Sequence, residues 1–282
     1  MPATEPAVHE PVPCVDVLGI PIAAIDLVGA ADRIEEWIRS GRRTYVTVTG
    51  VHGVMESQDD AALGAIHRAA GMCVPDGMPM VWVGKLMGHR RMGRVYGPDL
   101  MLELCRRSVD KGYAHYFYGA GSGVAERLRE RLVARFPGLC VVGVGTPPFR
   151  ALTASEEEAL GRELEACAPD VLWIGLGTPK QERWMAAHAG KLNAGVMIGV
   201  GAAFDMHAGR LRQAPRWMQR AGLEWLFRLY LEPRRLWRRY LRHNPRFLVR
   251  IVMQFLGVGG RRSGTAPLSQ GRAGSCPERL GS

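Results

Sequence analysis

Seven short apolar runs rich in β-branched residues recur along the chain: VDVLGIPI (15–22), YVTVTGV (45–51), MCVPD (72–76), HYFYG (115–119), LCVVGVG (139–145), VLWIGLG (171–177) and GVMIGVGAAF (195–204). Runs this short suit strands. Stretches of helical period separate most of them, among them DLVGAADRIEEWIRS and GVAERLRERLVARF. Strands that are apolar on both faces and alternate with amphipathic helices argue for a mostly parallel sheet with helices packed on either side. That arrangement also fixes where chemistry can sit. Open parallel sheets bind ligands in the crevice beyond the carboxyl ends of their strands.

Residues 14–215 are therefore expected to form one α/β domain of Rossmann-like design, and 282 residues with 47% hydrophobic content suffice to bury its core. After Pro215 the pattern changes. APRWMQRAGLEWLFRLYLEP, RRLWRRYLRHNP and RFLVRIVMQFLG read as three short helices punctuated by Pro233 and Pro245, since proline is disfavoured inside helices. In the second, Leu236, Trp237, Tyr240 and Leu241 share one side and Arg234, Arg235, Arg238, Arg239 and Arg242 the other. The charge divides the same way. Of a net +10, Gly209 to Arg250 carries twelve arginines against only Glu224 and Glu232, which leaves residues 1–208 mildly acidic. Residues 216–256 thus read as a basic amphipathic appendage for an anionic membrane surface or a diphosphate, with Arg228, Arg234, Arg235, Arg238, Arg239 and Trp237 as contacts. Residues 1–13 read as a flexible leader without the apolar segment of a secretory signal. Residues 257–282, rich in Gly, Ser, Arg and Pro, read as a disordered tail. No run approaches the roughly 18 to 20 apolar residues of a spanning helix.

The cysteines at 14, 73, 105, 140, 167 and 276 lack any zinc-site spacing and read as reduced core thiols of a cytosolic protein. No D-x-D occurs, so the paired-carboxylate metal grip of many nucleotide-sugar enzymes is missing, and no P-loop occurs either. Two glycine loops stand out instead. YGAGSGVA (118–125) places Gly119 and Gly121 where a strand hands over to a helix, offering free N–H groups to a phosphate. The dinucleotide pattern is only partly met, because its sixth position is Val124 and the next strand ends without a ribose-binding acid. In GLGTPKQERW (175–184), Thr178 can cap a helix, Pro179 suits its first position and Gln181 completes a capping box. Gly177 and Lys180 then lie beside a helix N-terminus that suits a diphosphate.

The polar residues at strand ends should converge on one crevice: Thr47, Thr49 and His52 after the second run, Asp76 after the third, Asp205 after the last. Asp76, in VPDG, is either a turn residue or a general base; Asp205 is a helix cap, an arginine partner or a ligand contact. His52 has no Ser, Cys or carboxylate partner in its own stretch.

VPDG, RVYGPDL, FYGAGSGVAE, IGLGTPKQERW, GVGAAFDMHAGRLRQAPRWMQRAGLEWLFRLYLEPRRLWRRY and NPRF together resemble the bacterial WecG/TagA/CpsF glycosyltransferases from about Val15 to Leu256. The resemblance implies inverting transfer of a hexose-type sugar from a UDP donor to a polyprenyl-diphosphate-linked acceptor, without metal or other cofactor. The enzyme would be peripheral on the inner face of the cytoplasmic membrane, in cell-surface or exopolysaccharide biosynthesis. It makes Asp76 the general base, with Thr47 as the second catalytic position, and puts Arg94, Gln181 and Asp205 at the donor site. It also implies a homo-oligomer. The chain departs from the family at Thr49, where asparagine is usual, and at GVH (50–52), which replaces an Ala-Glu region. That difference alters the contacts to sugar or acceptor and favours an exopolysaccharide over a teichoic acid linkage.

On this reading Val74 and Met78 desolvate Asp76 and raise its pKa, while glycine-loop N–H groups and appendage arginines hold the UDP oxygens. Two other classes account for part of the sequence. An NAD(P)-dependent oxidoreductase would use GAGSG, and a basic nucleic-acid-binding protein would use the arginines. The arginines, however, are interleaved with Leu, Trp, Phe and Ile at helical spacing, which suits lipid better than a phosphate groove, so no nucleic acid partner is expected.

Overall fold

The structure, a computed structural model, describes residues 12–257; most of the leader and all but the first residue of the tail lie outside them. Eight strands run in chain order: β1 (Cys14–Val17), β2 (Ile20–Ala23), β3 (Thr44–Thr49), β4 (Met72–Pro75), β5 (His115–Gly119), β6 (Val141–Gly145), β7 (Val171–Gly175) and β8 (Val196–Gly199). They form one sheet in the order β1-β2-β4-β3-β8-β7-β5-β6. Only β1 and β2 are antiparallel. VDVLGIPI, read above as one run, is in fact this hairpin, because Leu18 and Gly19 both take left-handed backbone (φ 53° and 82°) and reverse the chain in two residues. The other six runs each supply one strand.

The helices are α1 (Leu27–Arg39), α2 (Val51–Asp59), α3 (Ala61–Ala69), α4 (Met78–Leu86), α5 (Gly97–Lys111) and α6 (Val124–Arg135) in the first half. The second half adds α7 (Ala154–Cys167), α8 (Lys180–His188), α9 (Ala203–His207), α10 (Arg216–Arg220), α11 (Glu224–Leu231) and α12 (Pro233–Phe255). Strand side chains alternate between two cores, as a period of two requires. Phe117, Val171 and Trp173 pack with α1, α5, α6 and α9 on one face; Tyr116, Tyr118, Leu172 and Ile174 pack with α7 and α8 on the other. A third cluster joins the β1–β2 hairpin to α2 and α4, and it includes Phe247 and Ile251 of α12. The expected appendage is therefore docked on the α/β domain through shared core.

Three expectations need correction here. APRWMQRAGLEWLFRLYLEP is not one helix but two, α10 and α11, with Gly222 in left-handed backbone (φ 72°) between them. Pro245 does not end a helix: α12 runs through it. The carbonyl of Leu241, which loses its N–H partner to the proline ring, belongs to a residue on the solvent side, and Pro245 is itself exposed, so water can satisfy the freed group. The cysteines are not all core thiols. Cys73 and Cys105 are buried, but Cys14 and Cys140 are exposed, and Cys276 lies outside the described residues.

The central strand β3 pairs with β4 on one side and β8 on the other, and the chain then crosses to β5 beyond β7. This reversal opens a crevice at the carboxyl ends of β3, β4, β5, β7 and β8.

Candidate active site

A cavity of about 1120 Å³ occupies that crevice, large enough for a nucleotide sugar and part of a second substrate. Its floor is made by strand ends and the loops after them: Asp76 after β4, Ala120 and Gly121 after β5, Gly177 to Gln181 after β7, and Gly201, Ala202, Ala203 and Asp205 after β8. Arg228, Glu232, Arg235 and Arg239 bring α11 and α12 to its other wall.

Asp76 is fixed from the backbone outward. Its N–H donates to Thr49 O at 2.9 Å, which ties the end of β4 to the end of β3. The two strand ends approach so closely that a Cβ at Gly50 would lie 2.6 Å from Asp76 O. Its Oδ1 is shut off from solvent and accepts no hydrogen bond, while the side chain keeps 35% of its surface open to the cavity. Burial pushes the carboxyl up to about 6; Glu224 adds to the rise, and Arg94, Arg228 and Arg239 oppose it. Arg94 does not neutralise it closely. The Arg94 guanidinium lies 3.7 Å from Asp76 Oδ1 but makes its tight ion pair with Glu224 of α11, and it rests over the Tyr96 ring at 4.0 Å. Glu224 thereby occupies the cation that would otherwise hold Asp76 in its ionised form.

The β7 loop is built differently from the expected capping box. Thr178 does not cap α8; its hydroxyl donates to Glu182 Oε1 at 2.8 Å, the peptide to Pro179 is cis, and the helix begins without a side-chain cap. Gln181 is buried under the cavity, donating from Nε2 to Glu182 Oε1 at 3.2 Å, and its Oε1 has no partner. Glu182 is buried too, and burial raises its pKa, with the bonds from Thr178 and Gln181 opposing. Lys180 and Gly177 line the cavity as expected. Gly119 does not; it is glycine because a Cβ there would lie 2.6 Å from the Gly175 backbone, and its neighbours Tyr118, Ala120 and Gly121 face the cavity instead.

The remaining candidates sort by position. Asp205 lines the cavity from α9, and its carbonyl accepts from Arg210 N and Leu211 N. Thr47 and Thr49 do not line it: both are buried in β3, with Thr49 Oγ1 donating to Thr47 Oγ1 at 3.0 Å, so neither the second catalytic position nor the donor contact expected there reaches the cavity. Of the appendage contacts, Arg228, Arg235 and Arg239 face the cavity, and Arg228 Nε and Arg239 Nε are buried without a partner. Arg234, Arg238 and Trp237 are exposed, with the Arg238 guanidinium over the Trp237 ring at 5.3 Å. They belong to an outward stripe of α12 on which Leu241, Leu248, Val252 and Phe255 are also exposed. Among the described residues no helix is long and apolar enough to cross a membrane. Glu224 and Glu182 were missed in the sequence. Glu224 was legible only as one of two acids amid twelve arginines.

Residues 15–260 match the model of the Glycosyl transferase WecG/TagA/CpsF family. A curated relative from Bacillus spizizenii, named N-acetylglucosaminyldiphosphoundecaprenol N-acetyl-β-D-mannosaminyltransferase, is 30% identical over 197 residues, covering 70% of this chain and 74% of the relative. The protein of the same name from Bacillus subtilis is 30% identical over 188 residues, covering 66% and 70%. One from Staphylococcus aureus is 23% identical over 240 residues, covering 84% and 92%. Matched across its whole α/β domain and its appendage, the chain belongs to the WecG/TagA/CpsF family of glycosyltransferases.

Proposed function

We infer that this glycosyltransferase moves an N-acetylhexosamine from a UDP donor to a saccharide carried on polyprenyl diphosphate, with inversion at the anomeric carbon. The reaction named for its relatives, N-acetylmannosaminyl transfer to N-acetylglucosaminyl-diphosphoundecaprenol, is the first instance to test. The observation that carries this reading is one cavity with the Asp76 carboxylate at its floor, Oδ1 buried without a partner, and partnerless arginine nitrogens of α11 and α12 on the wall beside it. The acceptor hydroxyl attacks the anomeric carbon as the bond to the UDP phosphate breaks, and its proton passes to Asp76. A pKa of about 6 leaves Asp76 ionised at neutral pH yet more basic than an ordinary carboxylate. Arg228 and Arg239 neutralise the departing diphosphate, assisted by the backbone N–H groups at Gly121 and Gly177. Gln181 offers its free Oε1 to a hydroxyl or amide of the donor. Because Arg228 and Arg239 come from α11 and α12, the site is complete only with the appendage docked.

The outward stripe of α12 lays these same helices on the anionic membrane, bringing the cavity to a lipid-linked acceptor. Exposed apolar residues aligned along the stripe favour lipid over nucleic acid as the partner. The test is transfer of radiolabel from a panel of UDP-sugars to synthetic N-acetylglucosaminyl-diphosphopolyprenol. Label from UDP-N-acetylmannosamine should enter the lipid fraction; labelling by none of the UDP-sugars, or NAD(P) protecting against unfolding where UDP does not, would overturn the reading.

A further inference from the structure

Outside the residues that line the cavity, α2 and α12 meet at three ligand-type side chains. His52 and Glu56 lie one turn apart on α2, and His243 faces them from α12. Glu56 Oε1 is 3.2 Å from His243 Nε2 and 3.8 Å from His52 Nδ1, and the three ligand atoms all fall within 4.8 Å of one another. The two imidazole rings stand 5.1 Å apart and tilted by 59°. His243 is buried, and His52 Nδ1, the ring nitrogen that faces Glu56, is shut off from solvent with no hydrogen-bond partner. A buried nitrogen without a partner is costly and calls for an occupant, water or ion.

The spacing and the donor set narrow that occupant. A separation of 3.8 Å is too long for a hydrogen bond between His52 and Glu56. A cation bound at about 2.0 to 2.2 Å by tetrahedral ligands holds them roughly 3.3 to 3.6 Å apart, between the two separations to Glu56, and the third pair, within 4.8 Å, closes on the ion by rotation of the imidazoles. Two imidazoles with one carboxylate select a borderline transition metal over Mg²⁺ or Ca²⁺, which need more oxygen ligands. Of the cations nearby, Arg242 and Arg246 are bound to Asp59, and Arg239 lines the cavity.

The geometry points to a divalent transition-metal site formed by His52, Glu56 and His243, which pins the appendage helix α12 to α2 of the α/β domain. The site takes no part in sugar transfer as derived above. It would secure the docking of the helix that carries Arg239.

The full chain, stripped with EDTA, is titrated with Co²⁺ and then Zn²⁺. One equivalent of Co²⁺ should bind with micromolar or tighter affinity and give visible d–d bands of nitrogen and oxygen ligation. Zn²⁺ should displace it and raise the unfolding midpoint. His52→Asn and His243→Asn should each weaken Co²⁺ binding about tenfold or more and abolish the midpoint rise. If His243→Asn fails to fold, His52→Asn on the opposite helix carries the same expectation. The proposal is overturned by absence of saturable binding, by variants that bind as tightly as the parent, or by thiolate charge-transfer bands that put the ion on cysteines.

Discussion

Alanine at Gly50 separates the placement of Asp76 from its chemistry. Gly50 has φ −113° and ψ −165°, a backbone that alanine adopts without strain, so the substitution acts only through the added methyl. That methyl would stand 2.6 Å from Asp76 O, and ordinary contact begins near 3.4 Å, so the two strand ends must part by about 0.8 Å. The hydrogen bond from Asp76 N–H to Thr49 O belongs to the same junction and passes the shift to the carboxylate. A displacement near 1 Å in a reacting group costs about 100-fold in rate, and overpacking of this kind costs about 1 to 3 kcal/mol of stability. Gly50→Ala should therefore lower kcat/KM by about 30- to 100-fold with UDP affinity nearly unchanged, since the glycine loops lie on other strands. Gly161→Ala, in α7 where a Cβ meets nothing within 4 Å, is the control. Steady-state transfer with folding checked by circular dichroism reads the result. A folded Gly50→Ala enzyme with parental activity would refute the view that this strand junction positions the base.

Replacing Arg228 or Arg239 by Ala removes a charge-assisted contact to the diphosphate, about 1.5 to 3 kcal/mol, so calorimetry should find UDP affinity down roughly 10- to 100-fold. In the parent enzyme kcat/KM should fall as pH drops through about 6, because Asp76 must be ionised to accept the proton. Glu224→Gln frees Arg94 to hold the Asp76 carboxylate and so should move this acidic limb to lower pH; an unmoved limb would show that Glu224 does not tune the base. Joint replacement of Trp237, Leu241 and Leu248 by serine should cut binding to anionic vesicles about tenfold or more in a sedimentation assay, leaving UDP affinity intact.

Much of the fold was legible because buried parallel strands are written as dense apolar runs, and six of the seven runs became single strands. The first run escaped because Leu18, an unlikely left-handed residue, shares the reversal with Gly19. The helix through Pro245 escaped because a sequence does not say which carbonyls will face water. In the site, Asp76, Lys180 and Asp205 could be placed from strand ends and loop composition, whereas Gln181, which loop composition makes part of a capping box, is put at the donor site only by the family resemblance. Glu182 and Glu224 could not, since one is defined by burial and the other by an ion pair to Arg94 across long sequence separation. The cluster of His52, Glu56 and His243 was hidden for the same reason: one of its three members comes from α12, far from the other two in sequence.

The most direct test of Asp76 as general base is the single-turnover transfer rate of Asp76→Asn at neutral pH, measured with UDP binding confirmed by calorimetry. Asparagine keeps the shape and removes the proton acceptor, so the rate should fall by about 10²- to 10⁴-fold while UDP still binds; transfer at the parental rate would contradict the account.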